Sequence, residues 1–187
     1  MKVILASTSP RRKELLEREG IDFIVDASSI TEYLDSSLEI EERLKKLAYD
    51  KGISIHEKYP DDVVISADTT IYHNGKIIGK AHSAHEAREI LKSLSNDTHS
   101  VFTSVAVFYK DQVCTFADET KVTFKNISDM IDDYLSIDEW KGKAGAYAIQ
   151  GVAGKFIEEV QGDIDNVIGL PVKHVIEVIE TMNEKPL

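Results

Sequence analysis

Residues 2–20, "KVILASTSPRRKELLEREG", decide the fold. "KVILAS" reads as a short buried strand, because a brief apolar run bounded by polar turn residues suits a strand covered on both faces. Ser9 then stands at an N-cap position, and Pro10 at the first helical position, where its missing N–H is not needed. Leu15 and Leu16 give the helix an inward face, and Gly20 is placed to end it. A strand feeding directly into a helix opens a mixed α/β chain.

Outward from there, "IDFIVDA" reads as a second strand and "SSITEYLDSS" as a polar, turn-rich stretch. Ile40, Leu44, Leu47, Ala48 and Ile55 recur at helical spacing, which predicts a helix from Glu39 to about Tyr59. Lys51 falls on that same apolar stripe, four residues after Leu47. "DDVVISAD" reads as a buried strand ending at Asp68, followed by a hairpin turning at Asn74-Gly75. Ser83 and Glu86 form a capping-box pattern ahead of a helix with Ala87, Ile90, Leu91 and Leu94 inward. Two long strands turn near Lys110-Asp111, and Ser128 is placed to cap a helix through Leu135. The glycine-rich "KGKAGAYAIQGVAGKF" follows, then a strand, a turn at Gly162-Asp163 and a final helix after "GLPV".

Composition limits the partners. The chain has 187 residues, 42% of them hydrophobic, enough for one sizeable core or two closely packed lobes sharing a sheet. Lys and Arg number 22 against 33 Asp and Glu, a formal charge of -11. That field repels nucleic-acid polymers and anionic membranes, so a bound anion needs a local basic pocket. Cys114 is the single cysteine; it is read as a small core residue, and its solitude fits a reducing cytoplasm. No apolar run approaches the roughly 20 residues of a membrane span, and the expectation is a cytoplasmic protein without a membrane partner.

Several residues stand out chemically. Arg11 and Arg12 lie in the first turn of a helix, against its dipole, which is unfavourable unless an anion arrives. Guanidinium forks are suited to phosphate. Lys51 either snorkels to water or points at an anion, and Lys80 in "IIGKA" is ambiguous in the same way. "NGKIIGKAHS" is not a phosphate-binding P-loop, since Gly75 is one residue too close and Ala81 replaces the Ser or Thr. Asp68 is read at a strand end, where α/β folds commonly place catalytic groups. Glu32 lies in the polar stretch before the Lys51 helix. Two carboxylates with several cations suit metal-assisted phosphoryl chemistry. The six histidines lack zinc-site spacing and are read as surface residues.

Taken in order, "LASTSPRRKELL", "LAYDKG", "ISADTTIYHNGKIIGK", "KAGAYAIQG" and "VIGLPV" resemble the Maf family of nucleoside triphosphate pyrophosphatases over essentially the whole chain. The resemblance implies one Maf-like domain over residues 1–187. Its fold would be α/β and inosine triphosphate pyrophosphatase-like: a twisted mixed sheet flanked by helices, with two lobes around a central cleft. It implies hydrolysis between the α- and β-phosphates with a divalent cation, Mg or Mn, and a homodimer. Asp68 would be the catalytic proton acceptor and Glu32 its acidic assistant, both also metal ligands. Ser7, Arg12, Lys51 and Lys80 would surround the phosphates, and Arg11, Thr69 and Gln150 would select the base. "KAGAYAIQG" resembles the subfamily acting on dTTP and UTP. Two departures from the family's habit are Ala81 after Lys80, where proline is common, and Gly52 after Lys51, where alanine is common; both are expected to loosen the backbone locally. A nucleotide-binding regulator of division or septation with little turnover is the alternative from another class.

Overall fold

The computed structural model describes residues 2–27 and 38–184. A seven-stranded mixed sheet carries the fold. Its first strands are β1 (Val3–Leu5), β2 (Phe23–Val25) and β3 (Val63–His73), followed by β4 (Lys76–Ile78), β5 (Thr98–Tyr109), β6 (Gln112–Phe124) and β7 (Ile157–Gln161). The strand order is β2-β1-β3-β5-β6-β7, with β4 paired to β3. The pairs β1/β2 and β1/β3 are parallel, whereas β3/β4 and β6/β7 are antiparallel. The helices are α1 (Pro10–Arg18), α2 (Ile40–His56), α3 (Ala84–Leu94), α4 (Ile131–Ser136), α5 (Ile164–Ile168) and α6 (Val172–Glu184). The open mixed sheet flanked by helices is the expected class.

The chain divides into two compact units. The first takes residues up to Asp68, Thr103–Asp118, and the chain from Gly169 on; the second takes Thr69–Phe102 and Glu119–Ile168. In the first unit, Ile4, Ala6, Ala48, Ile55, Val64, Ala106 and Phe108 form a core between α2 and the strands. In the second, Leu91 and Leu94 of α3 meet Val122 and Phe124 of β6, with Tyr134, Tyr147 and Phe156 completing an aromatic core.

The opening strand, turn and helix form as predicted, and Pro10 occupies the first helical position. Ser9 takes the N-cap place without a side-chain cap bond; its own amide donates to the Ser7 hydroxyl at 3.2 Å. Gly20 closes α1 at φ +71°, returning its amide to the Glu17 carbonyl as left-handed helix ends do. At α3 the predicted capping forms with one shift: the Ser83 hydroxyl accepts from the Glu86 amide at 3.1 Å, but the Glu86 carboxylate accepts at 2.7 Å from the amide of His82, one residue before the N-cap, rather than from that of Ser83. Asn74 and Gly75, both at positive φ, turn β3 into β4 as the two-residue hairpin rule requires.

Four readings are corrected. Strand β3 does not stop at Asp68 but runs through it to His73, because Thr69, Thr70, Ile71 and Tyr72 all favour extended backbone and outweigh one Asp. Ser128 does not cap α4, which begins after Met130; its amide and hydroxyl both turn back to the Asn126 side chain, the local bond that makes such residues turn formers. Cys114 is half-buried on β6 rather than in a core. His73 and His99 are buried, not at the surface.

Candidate active site

The first unit gathers Ser7, Arg12, Lys51 and Asp68. Strands β1 and β3 run parallel with Leu5 opposite Ile65, so the chain leaves β1 at Ser7 beside the approach of β3 to Asp68. Helix α2 buries Leu44, Leu47, Ala48, Gly52 and Ile55, and Lys51, on the edge of that face, reaches Asp68: its Nζ lies 2.5 Å from Oδ1. Both side chains are only 18% exposed, so the pair is held in a partly desolvated setting where charge interactions are stronger than in water. The lysine therefore does not snorkel; it faces a carboxylate.

Gly52 is what lets α2 come this close. A Cβ there would stand 2.4 Å from Phe108 Cε2 and 2.5 Å from Ser66 Oγ. The departure from alanine thus tightens the backbone against β3 instead of loosening it, correcting the sequence expectation. Ser66 Oγ in turn donates to the Ala48 carbonyl at 2.6 Å, tying β3 to α2 one turn before Lys51.

Arg12 is anchored at two points. Its Nε donates to the Gly169 carbonyl at 2.7 Å, and Nη1 donates to Ser7 Oγ at 3.0 Å. Burial draws its pKa down to about 10, with Asp68 opposing that shift and Arg11 adding to it; it remains a cation at neutral pH. The influence of Asp68 on Arg12 places the carboxylate within electrostatic reach of the guanidinium. Ser7 is buried and accepts from both Arg12 and the Ser9 amide, which engages its two lone pairs and leaves its hydrogen to donate. Arg11 is half-buried, and burial lowers its pKa while Glu14 acts in the opposite sense.

Thr69, Lys80 and Gln150 belong to the second unit. Lys80 and Gln150 are exposed and Thr69 is half-buried. The chain at Lys80 forms a bridge with Ala144, and the Gly145 amide donates to the Gly79 carbonyl at 3.0 Å. The Lys80 segment is thereby fastened to the turn that leads to Gln150. Glu32 lies outside the described residues.

Among the described residues no group of three His, Cys, Asp or Glu side chains gathers to hold a metal ion. A divalent cation such as Mg²⁺ is commonly held by one or two carboxylates together with substrate phosphates. A single carboxylate, Asp68, beside phosphate-type donors fits an ion that arrives with a polyphosphate.

Comparison with known proteins identifies the family. The Maf-like protein family matches residues 2–182, and the chain belongs to that family. A dTTP/UTP pyrophosphatase of Pyrococcus abyssi is 44% identical over 179 residues, 95% of each chain. The protein of that name from Pyrococcus furiosus is 42% identical over 180 residues, 96% of this chain and 94% of its own. One from Bacillus cereus is 38% identical over 183 residues, 97% of this chain and 96% of its own. No helix among the described residues is long and apolar enough to cross a membrane.

Two features escaped the sequence reading. Ser7 and Arg12 bond each other, which spacing alone does not reveal. Gly169 holds Arg12 through its carbonyl, and the only signal was a glycine before Leu-Pro in "VIGLPV".

Proposed function

We propose that the chain is a nucleoside triphosphate pyrophosphatase that acts on dTTP and UTP, cleaving between the α- and β-phosphates. The observation that carries this reading is the Lys51–Asp68 pair set beside Arg12 and Ser7, in a chain similar along its length to proteins named for that activity. Water attacks the α-phosphorus as the bond to the bridging oxygen breaks; nucleoside monophosphate and pyrophosphate separate. Asp68 accepts the proton of the attacking water. Lys51, paired with Asp68 before substrate binds, turns toward the phosphates when they arrive and releases a carboxylate oxygen for that task. Arg12, its plane fixed by Gly169 and Ser7, presents positive charge where negative charge builds on the leaving group. Asp68, with Glu32, would hold a divalent cation, Mg or Mn, which supplies Lewis-acid neutralisation of the triphosphate. Lys80 meets phosphate oxygens, and Arg11, Thr69 and Gln150 read the base, Gln150 through an amide able to donate and accept at a pyrimidine edge.

A homodimer, a cytoplasmic location and no dealings with nucleic-acid polymers complete the reading; the net charge of -11 supports the last.

The test is product identification across a panel of nucleoside triphosphates with Mg²⁺ or Mn²⁺, with EDTA as control, in the wild type and Asp68→Asn. The expected result is monophosphate and pyrophosphate, a preference for dTTP and UTP, and a loss of at least roughly 10²-fold in kcat for the variant. Orthophosphate as the product, or undiminished turnover by Asp68→Asn, refutes the mechanism.

A further inference from the structure

The buried pair His99 and Tyr147 has no part in the site as described, yet Tyr147 lies three residues before the residue assigned to base selection. The segment "KAGAYAIQG" is held at several points within the second unit. Gly145 and Ala146 both take positive φ, +67° and +61°, and left-handed backbone at a residue with a Cβ persists only when its surroundings impose it. The Tyr134 hydroxyl donates to the Ala146 carbonyl at 3.1 Å. One residue on, the Tyr147 hydroxyl lies 2.7 Å from His99 Nε2, with Tyr147 6% and His99 2% exposed. The two rings meet edge to face at 5.5 Å, and Phe124 packs against both. Gln150 follows Tyr147 by three residues, and the Gly151 amide returns to the Ala148 carbonyl, closing the turn between them.

We propose that His99 and Tyr147 are positioning residues for base selection: their hydrogen bond fixes the turn that presents Gln150. This rests on the functional reading above and extends it to two residues to which that reading gives no role. A side chain that distinguishes bases by hydrogen bonds needs its acceptor and donor placed within a few tenths of an ångström, and a displacement of about 1 Å can cost roughly 10²-fold. Tyr147 is suited to this because its ring is locked in the core while its hydroxyl reaches one fixed partner. His99 is suited because burial keeps its imidazole neutral, pushing its pKa down to about 4, so the bond does not change with physiological pH.

The experiment measures kcat/KM for dTTP, UTP, dATP and dGTP in the wild type, Tyr147→Phe, His99→Phe and His99→Gln, with a thermal melt of each. Tyr147→Phe and His99→Phe are expected to narrow the ratio of pyrimidine to purine turnover about tenfold, and His99→Gln, which keeps a hydrogen-bonding group, to restore part of it. In a Gln150→Ala background Tyr147→Phe should leave the ratio unchanged, because it acts through Gln150. An unchanged ratio in the folded Tyr147→Phe protein, or an equal loss for all four nucleotides, overturns the inference. A wild type that turns over none of the triphosphates sinks the functional reading instead, so the two failures are distinct.

Discussion

Gly52→Ala inverts the usual rule for a helix interior, where that exchange ordinarily stabilises by about 1 kcal/mol. At position 52 of α2 the new methyl would stand 2.4 Å from Phe108 Cε2, 2.5 Å from Ser66 Oγ and 3.0 Å from Ser66 Cβ. Carbon contacts are comfortable near roughly 3.5 Å, so something must yield by about 1 Å. Neither neighbour is loose. Ser66 is fully buried and bonded to Ala48, while Phe108 is 1% exposed with Tyr49 and His56 against it, ring centroids 5.4 and 5.2 Å away. Overpacking of this kind costs about 1–3 kcal/mol, and a disturbed Ser66 bond adds about 1 kcal/mol. Set against the helix gain, the net is a loss of about 2 kcal/mol, which for a chain of this length lowers Tm by roughly 4–8 °C. Urea unfolding and thermal melts measure it. Because Lys51 precedes Gly52 on the same turn, kcat/KM should fall with stability, and Phe108→Leu in the Gly52→Ala background should recover part of both. A Gly52→Ala protein as stable as the wild type, or more so, would refute the claim that helix and strand meet at this glycine.

Two further outcomes are expected. Arg12→Lys keeps the charge but cannot span both Gly169 O and Ser7 Oγ with one planar group; KM for the triphosphate should rise at least about tenfold, and an unaltered KM would remove the fork from the mechanism. For pH, His99 titrates at about 4 when folded and near 6.5 when unfolded. Its contribution is therefore complete above about pH 6.5 and is lost as pH falls toward 4, by up to about 3 kcal/mol. Urea midpoints for wild type and His99→Gln should differ less at pH 4.5 than at pH 7, and a constant difference would contradict the neutral, buried imidazole.

What was legible in the sequence follows from periodicity and local chemistry. The α2 stripe and Lys51 upon it, the Pro10 helix start, the Asn74-Gly75 hairpin and the Ser83/Glu86 capping all depend on neighbours within about one turn of chain, and all of them formed. What was not legible depends on partners far along it. Nothing local in "THSVF" distinguishes a buried His99 from an exposed one; its environment comes from Phe124 and Tyr147, 25 and 48 residues away. The five-residue helix α5 is too short to display a period. Asp68 was read at the end of the apolar run "DDVVISAD", whereas the β-forming run after it carries β3 onward. Gly52 looked like slack because propensity is a property of the helix alone, and the close approach belongs to the strand beneath it.

The paired arginines show the same division between what local charge predicts and what the fold supplies. On the sequence they are two cations against a helix dipole, awaiting an anion. In the structure part of that compensation is internal: Arg12 leans on the Gly169 carbonyl and the Ser7 oxygen, and Asp68 favours its charged form while burial opposes it. In the first unit Arg11, Arg12 and Lys51 contribute three positive charges, and Asp68 with Glu14, which acts on Arg11, two negative, a local sum of +1 in a chain of -11. A compact polyanion such as a triphosphate is small enough to answer to that local sum, whereas an extended polyanion meets the surrounding negative field. The overall acidity opposes an extended polyanion more than a compact one, and under the function proposed above the anion that completes the charge of the first helix turn is a triphosphate.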